Sequence, residues 1–207
     1  MRTYKIHLIR HGATSGNEQG QYIGRTDLPL TTNGIKELEK IKSGFLFQNY
    51  GLVFSSPLKR ALQTADILLN SANPRIIENF NEMDFGEFEG KTMLELSDNA
   101  DYQDWIYGRT DRPKGGEGFK DFASRLAAGL RECVQIMMNE NRYLSAAVMP
   151  GGAIMTLLTV CAVPRRKALN DWACDAGHGF EILVNPTIYA SSGIVEVTGE
   201  VPIPQSK

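Results

Sequence analysis

A histidine preceded by an arginine stands at the end of the first apolar run of the sequence, in the segment LIRHGATSGN. Arg10 and His11 follow a strand-like run from Tyr4 to Ile9, and Gly12 allows the backbone to turn sharply beside a ligand. A neutral imidazole nitrogen can attack a phosphoryl group directly. A neighbouring guanidinium lowers the pKa of the imidazole by like-charge repulsion and so favours this neutral form. His11 is therefore a candidate nucleophile.

Phosphoryl transfer also needs fixed cations around the charged oxygens of the phosphoryl group. Guanidinium groups match these oxygens with paired hydrogen bonds. We expect Arg10 and Arg60 to supply them from two neighbouring strand ends, and Asn17 to add a neutral donor.

The departing oxygen needs a proton, and the segment NEMDFGEFEG offers three carboxyl groups. Glu82 is the candidate general acid, because a carboxyl beside a bound phosphate has a raised pKa. Glu87 and Glu89 are rivals whose roles the pattern does not separate.

A third segment, SAAVMPGGAIMTLL, has the form of an anion cradle. A short strand from Ala146 to Met149 breaks at Pro150-Gly151-Gly152, and a helix from Ala153 to Ala162 follows. Glycine amides at the start of a helix point their N–H groups at one place, where the helix dipole favours negative charge. No side chain in this turn can donate a proton, attack or carry charge.

Strands alternate with helices along the chain, which predicts an α/β fold with a mainly parallel sheet. In such sheets ligands bind beyond the carboxyl ends of the strands, so the three segments that carry Arg10, Arg60 and Gly151 should meet at one rim. The other expected elements are a strand at Leu52 to Phe54, a helix capped by Ser56 with Pro57 in its first turn, a helix after Thr31-Thr32, a long amphipathic helix from Gly118 to Asn139, an edge strand from Gly179 to Val184 and a strand from Val195 to Val197.

Length and composition exclude several classes of protein. With 207 residues, 42% hydrophobic and 22% charged, the chain is expected to form a single domain over residues 1–207. A net charge of −2 argues against a nucleic-acid partner. Three cysteines without zinc spacing predict a reducing compartment, and a cytoplasmic location is expected. The most apolar run, Ala153 to Val163, is too short to span a membrane, and nothing indicates the oligomeric state.

Together these segments resemble the histidine phosphatase superfamily, the phosphoglycerate mutase-like proteins. The matching motifs are RHGATSGN, YIGRTDLPLTTNG, SSPLKRALQTA, NEMDFGEFEGKT, GGEGFKDFASRL and PGGAIMTLL, in family order and spacing. The resemblance implies a three-layer α/β/α sandwich, no metal or other cofactor, a phosphohistidine at His11 and Glu82 as the proton donor. It also implies a phosphate pocket formed by Arg10, Asn17, Gly24, Arg60 and Gly151.

One position departs from the family pattern. Pro150 stands where members carry a second catalytic histidine, and it removes both that ring and one backbone N–H. Loss of one positioned donor predicts a rate lower by about 10²–10³ than that of a family member with both histidines. Three interpretations remain open: a weakened enzyme, an enzyme in which His178 replaces the missing ring, and a protein that binds phosphorylated ligands but turns over poorly or not at all.

The segments GRTDLPLTTNG and FGEFEGKT are similar to those of bacterial α-ribazole phosphatase-like and broad-specificity phosphatases. Mutases have a longer insert after the acid, whereas Glu82 is followed here by MDFGEFEG. The leading prediction is a phosphomonoesterase that acts on a small phosphorylated metabolite. A phospholigand-binding protein is the alternative, and a phosphoglycerate mutase is the third hypothesis.

Overall fold

The computed structural model describes residues 2–166 and 168–204, so Met1, Lys167 and residues 205–207 of the expected 1–207 domain lie outside the described residues. Within the described residues, helices and strands alternate over most of the chain. Their order is β1 (Tyr4–Arg10), α1 (Ser15–Glu18), α2 (Thr32–Gly44), β2 (Phe45–Leu46), β3 (Val53–Ser55), α3 (Lys59–Leu69), β4 (Arg75–Ile76), α4 (Met93–Leu96), α5 (Ala100–Ile106), α6 (Phe119–Asn139), β5 (Leu144–Met149), α7 (Gly151–Cys161), β6 (Ala162–Val163), β7 (Gly179–Val184), α8 (Pro186–Ser192), β8 (Val195–Val201) and β9 (Ile203–Pro204).

The main sheet has the strand order β4-β3-β5-β1-β7-β8-β6. Neighbouring strands from β4 to β1 are parallel, β7 is antiparallel to both of its neighbours, and β6 is parallel to β8. The prediction of an α/β fold with a mainly parallel sheet is therefore confirmed. A separate two-stranded ribbon joins β2 and β9.

Helices cover both faces of the sheet. Because successive side chains of a strand point to opposite faces, Ile6 and Leu8 of β1 pack toward α6, α7 and α8, whereas Ile9 packs toward α2 and α3. Each face holds its own buried cluster of apolar side chains. The result is the expected three-layer α/β/α sandwich.

The carboxyl ends of β3, β5 and β1 lie side by side. Arg10 pairs with Met149 at the ends of β1 and β5, and Ser55 pairs with Val148 at the end of β3. The segments that follow these three strands therefore emerge at one edge of the sheet. This edge positions the candidate site.

Two expected elements differ from the structure. The strand Gly179–Val184 is not at an edge, because β8 pairs with its other side. Helix α3 begins at Lys59 after Leu58, so Ser56 is not its cap and Pro57 is not in its first turn. The reason is that the Ser56 N–H donates to the Val148 carbonyl, which prolongs the strand pairing by one residue.

None of the helices in the described part of the chain combines the length and the apolar character that a membrane crossing requires.

Candidate active site

The imidazole of His11 is buried at the carboxyl end of β1. Its Nδ1 atom lies 2.6 Å from the Gly12 carbonyl oxygen. A carbonyl oxygen only accepts hydrogen bonds, so Nδ1 carries the proton and Nε2 holds the lone pair. Burial and then the charge of Arg60 lower the pKa of His11 to about 3, and Arg10 contributes less. Repulsion from the arginines, expected from the sequence, therefore contributes to the neutral state, but burial is the larger cause.

Arg60, in the first turn of α3, is buried against His11. Its Nε donates to His11 Nε2 at 3.2 Å. Thr64 links Arg60 to Gly12, the residue after His11. Its hydroxyl donates to the Arg60 carbonyl at 2.6 Å and accepts from the Gly12 N–H at 2.9 Å. Burial lowers the pKa of Arg60, while nearby carboxylates oppose this shift. A guanidinium thus contacts the nitrogen that carries the lone pair.

Arg10 approaches the site from the other side. Its Nη1 donates to the Cys174 carbonyl at 2.7 Å. A Cβ placed on Gly151 would lie 3.0 Å from Arg10 Nε, so the absence of a side chain at Gly151 leaves room for the guanidinium. The start of α7 and the Arg10 side chain are therefore in close contact.

Glu82 lies over the start of α7 and is 6% exposed. Its two carboxyl oxygens accept the Met83 N–H at 2.9 Å and the Gly152 N–H at 3.1 Å. A Cβ on Gly152 would lie 2.7–2.8 Å from these oxygens, so only glycine permits this approach. Burial raises the pKa of Glu82, although the two N–H groups and Arg60 oppose the shift. The protonated form of the carboxyl is thereby favoured.

Arg10, His11 and Glu82 line one cavity. It has a volume of about 140 Å³ and contains Asn17 as well. The Asn17 side-chain oxygen accepts from the Thr14 N–H and hydroxyl at 3.1 and 3.0 Å, which leaves its NH2 group to donate into the cavity. The residues that line the cavity are Arg10, His11, Asn17, Ile23, Glu82, Gly151, Gly152, Met155, Ala173 and Cys174.

Gly24 and Arg60 are placed differently from the other expected pocket residues. Gly24 is not among those that line the cavity, and neither is Arg60, which contacts the lining residue His11 through Nε and the Gly24 carbonyl through Nη2 at 2.9 Å. Gly24 is therefore in contact with the cation rather than with the cavity.

Pro150 is the N-cap of α7 and has neither an N–H group nor a polar side chain to offer. His178 is not among the residues that line the cavity that contains His11; it lines a neighbouring cavity of about 480 Å³ that shares Arg10, Ala173 and Cys174 with it. Its Nδ1 is 3.1 Å from the Ala176 carbonyl oxygen, and its ring packs edge-on against Phe45.

The structure separates the three carboxyl groups of the segment NEMDFGEFEG. Glu82 alone among them lines the cavity. Glu87 is exposed and lies 3.6 Å from Lys114 Nζ. Glu89 Oε1 accepts the backbone N–H groups of Gly24 and Thr26.

Arg125 of α6 also contributes, by holding the segment that carries Glu82. Its guanidinium donates to the carbonyls of Asn79, Asn81 and Glu82 at 2.8–2.9 Å and pairs with Glu117. The sequence contains no signal for this contact, because backbone carbonyls can be supplied by any residue type.

In the described part of the chain, no group of three or more His, Cys, Asp or Glu side chains is arranged to hold a metal ion.

A family model described as the histidine phosphatase superfamily (branch 1) matches residues 6–178. The chain therefore belongs to this superfamily, and the resemblance seen in the sequence is confirmed.

Individual relatives include phosphatases and mutases. The adenosylcobalamin/alpha-ribazole phosphatase of Escherichia coli (strain K12) is 34% identical over 127 residues, which are 59% of this chain and 63% of that protein. A 2,3-bisphosphoglycerate-dependent phosphoglycerate mutase of Rhizobium etli is 32% identical over 131 residues, 58% of this chain and 62% of that protein. The aligned parts thus span less than two thirds of these relatives. The crystal structure of the alpha-ribazole phosphatase from Shigella flexneri has a TM-score of 0.76 at 24% identity, covering 98% of this chain and 96% of that one, and so has the same fold.

Proposed function

We propose that this protein is a metal-independent phosphomonoesterase that hydrolyses a small phosphorylated metabolite through a phosphohistidine at His11. The observation that carries the proposal is the pairing of a neutral imidazole, with its lone pair at Nε2 beside Arg60, and a buried carboxyl on the same cavity. A nucleophile, cations and a proton donor are then all within reach of one phosphoryl group.

In the first step, His11 Nε2 attacks phosphorus and the bond between phosphorus and the ester oxygen breaks. Arg60 Nε, which contacts Nε2 here, donates instead to a phosphoryl oxygen as the N–P bond forms. Arg10, Asn17 and the Gly151 N–H are the other donors around the phosphoryl group. The carboxyl proton of Glu82 passes to the departing alkoxide, which leaves as an alcohol.

In the second step, water attacks the phosphohistidine. The carboxylate of Glu82 takes the proton from this water, the N–P bond breaks, and inorganic phosphate leaves. Both His11 and Glu82 are then neutral again, as at the start of the cycle.

The test of this function is hydrolysis of para-nitrophenyl phosphate. The wild type is expected to release phosphate in the presence of EDTA, to carry acid-labile phosphate during turnover, and to lose both properties in His11→Ala. Release no faster than that of His11→Ala would exclude the proposed activity.

Pro150 supports a second candidate, a protein that binds phosphorylated ligands with little turnover. The N-cap position of α7 supplies no donor to the cavity. Here Pro150→His is expected to raise hydrolysis by about 10²–10³, the usual effect of one positioned donor. Wild-type turnover at ordinary enzyme rates would rule out this candidate.

The third candidate is a phosphoglycerate mutase, and it is supported by mutases among the relatives. The segment between Glu82 and α4 is short. A phosphoglycerate carries a second charged group, which would need additional cations in this segment. Interconversion of the two phosphoglycerates by the purified protein is the assay that decides, and we expect none.

A further inference from the structure

Backbone carbonyls hold the side of the Arg60 guanidinium that faces away from His11. Nη1 donates to the Thr26 carbonyl at 2.9 Å, and Nη2 donates to the Gly24 carbonyl at 2.9 Å. The Arg60 side chain is 1% exposed, so water does not compete for these bonds. The segment from Gly24 to Thr26 therefore determines the direction in which Arg60 Nε points.

Glu89 holds the same two residues from the opposite direction. Its Oε1 atom accepts the Gly24 N–H at 2.9 Å and the Thr26 N–H at 2.8 Å. Each of the two residues thus donates through its N–H to Glu89 and accepts through its carbonyl from Arg60. The chain of contacts runs from Glu89 through Gly24 and Thr26 to Arg60 and then to His11.

Tight packing leaves this segment little freedom to find another position. A Cβ on Gly24 would lie 2.0 Å from the Met83 carbonyl oxygen and 3.0 Å from Glu89 Oε2. The Gly24 backbone is therefore enclosed between Glu89 and the residue that follows the general acid. The negative charges of Asp27 and Glu89 favour the charged form of Arg60.

We propose, on the basis of the phosphatase function proposed above, that Glu89 is a positioning residue for phosphoryl transfer. Glu89 sets the Arg60 guanidinium through the Gly24 and Thr26 peptide groups and does not touch substrate. Its place outside the residues that line the cavity agrees with this role and not with that of a general acid.

Two substitutions of Glu89 separate the effect of its side-chain length from the effect of its charge. Glu89→Gln keeps an oxygen at the same distance and removes the charge, whereas Glu89→Asp keeps the charge and withdraws the oxygen from the two N–H groups. If position is what matters, Glu89→Asp and Glu89→Ala lose about 10- to 100-fold in kcat/KM for para-nitrophenyl phosphate, and Glu89→Gln keeps most of the activity. Glu87→Ala, two residues away and exposed, is the matched control and should match the wild type.

A double-mutant cycle with Arg60→Ala tests whether Glu89 acts through Arg60. The double variant Arg60→Ala, Glu89→Ala should be no slower than Arg60→Ala alone, since the residue through which Glu89 acts is already absent. A merely structural role would lower the activity by a similar factor in both backgrounds. Circular dichroism and thermal melting establish whether each variant is folded. If the alanine variants are unfolded, the comparison of Glu89→Gln with Glu89→Asp tests the proposal.

Calorimetric titration with orthovanadate, an analogue of the transferred phosphoryl group, gives a readout that does not depend on turnover. Glu89→Asp should bind orthovanadate more weakly than the wild type by the factor lost in kcat/KM. If the wild type binds orthovanadate but hydrolyses no substrate, the phosphatase function is overturned. The role of Glu89 is then tested by the affinities of the wild type and Glu89→Asp for orthovanadate. Undiminished binding by Glu89→Asp, additive losses in the cycle, or no binding to the wild type would overturn the proposal for Glu89.

Discussion

Burial has opposite chemical consequences for the two titratable groups that face the cavity. A low-polarity environment disfavours the charged form of each, so it lowers the pKa of His11 and raises the pKa of Glu82. An imidazole without its second proton is a nucleophile, and a carboxyl with its proton is an acid. One physical cause therefore underlies both proposed roles.

The role of Glu82 predicts a dependence on the leaving group. Glu82→Gln should lower kcat/KM for an alkyl phosphate by about 10²–10⁴, the usual contribution of a general acid. The loss should be much smaller for para-nitrophenyl phosphate, because nitrophenolate leaves without a proton. Equal losses for the two substrates would contradict the assignment, and Glu87→Gln serves as the control.

The same residue predicts one limb of the pH profile. Since the acid form is needed, kcat/KM of the wild type should fall as pH rises through the raised pKa of Glu82. Glu82→Gln should lack this alkaline limb. Profiles of kcat/KM for an alkyl phosphate between pH 5 and 9, a range set by roughly where enzyme carboxyls with raised pKa titrate, provide the measurement.

His11 should make the folded state less stable in acid. Its pKa is about 3 when folded against 6.5 in the reference state, so only the unfolded chain binds the proton between these values. Stability therefore falls as pH decreases through this window, by about 1.4 kcal/mol per pH unit for this one group. Urea titrations at several pH values should give His11→Ala a shallower pH dependence than the wild type, while His178→Asn keeps the wild-type dependence. Parallel curves for His11→Ala and the wild type would contradict the buried neutral state.

At the scale of elements, the first two residues of α7 are glycines, and their lack of side chains leaves room for neighbouring groups. Gly151 leaves space for Arg10 and Gly152 leaves space for Glu82, so a cation and a carboxyl both reach the first turn of one helix. The two glycines that predict an anion cradle therefore also admit the Arg10 guanidinium and the Glu82 carboxyl.

This packing predicts different effects for alanine at the two glycines. Gly152→Ala places a methyl group 2.7–2.8 Å from buried Glu82 oxygens, whereas Gly151→Ala meets the longer and more mobile Arg10 side chain at 3.0 Å. Gly152→Ala should therefore lower kcat/KM for an alkyl phosphate by roughly tenfold or more, and Gly151→Ala by less. The melting temperatures should change little, because Ala favours a helix over Gly by about 1 kcal/mol and offsets part of the displacement. The reverse order of activities would show that the acid does not depend on Gly152.

Periodicity placed most of the elements that it predicted within two residues of their observed ends, among them β1, α6 and α7, although β8 runs to Val201, beyond its predicted end at Val197. It did not predict which strands are neighbours, because the apolar pattern of Gly179–Val184 is the same at an edge and inside a sheet. The predicted start of α3 was wrong for a related reason. Ser56 has the side chain of a helix cap, but the pairing of its N–H with Val148 takes precedence, and a partner so distant in sequence leaves no local signal.

At the scale of the whole molecule, the site draws on residues from distant parts of the chain. His11, Arg60 and Glu82 could be proposed from the sequence because their side chains have chemistry of their own. Glu89 and Arg125 could not be assigned roles, because they act on backbone groups whose positions only the fold determines.

A polar network centred on the buried His7 joins the parallel and antiparallel halves of the main sheet. His7 of β1 has Nδ1 at 2.6 Å from the Tyr50 hydroxyl and Nε2 at 3.0 Å from Glu181 Oε2 on β7. Thr198 of β8 and Lys5 also bind Glu181. Burial lowers the pKa of His7, so the neutral ring donates to the carboxylate through Nε2 and accepts from the Tyr50 hydroxyl.

Removal of the carboxylate should therefore destabilise the sheet without affecting the chemistry. Glu181→Ala leaves the buried Nε2–H of His7 without its acceptor, which costs about 1–3 kcal/mol in the free energy of unfolding. Partial burial raises the pKa of Glu181, but hydrogen bonds from Lys5, Thr198 and His7 lower it to about 2, so the loss should shrink as pH falls from 4.5 toward that value. Urea denaturation at pH 7 and pH 3, with the exposed Glu196→Ala as control, measures both effects. Hydrolysis of para-nitrophenyl phosphate should be unchanged, because Glu181 does not line the cavity, and a kinetic defect in a folded Glu181→Ala protein would place this network within the catalytic machinery.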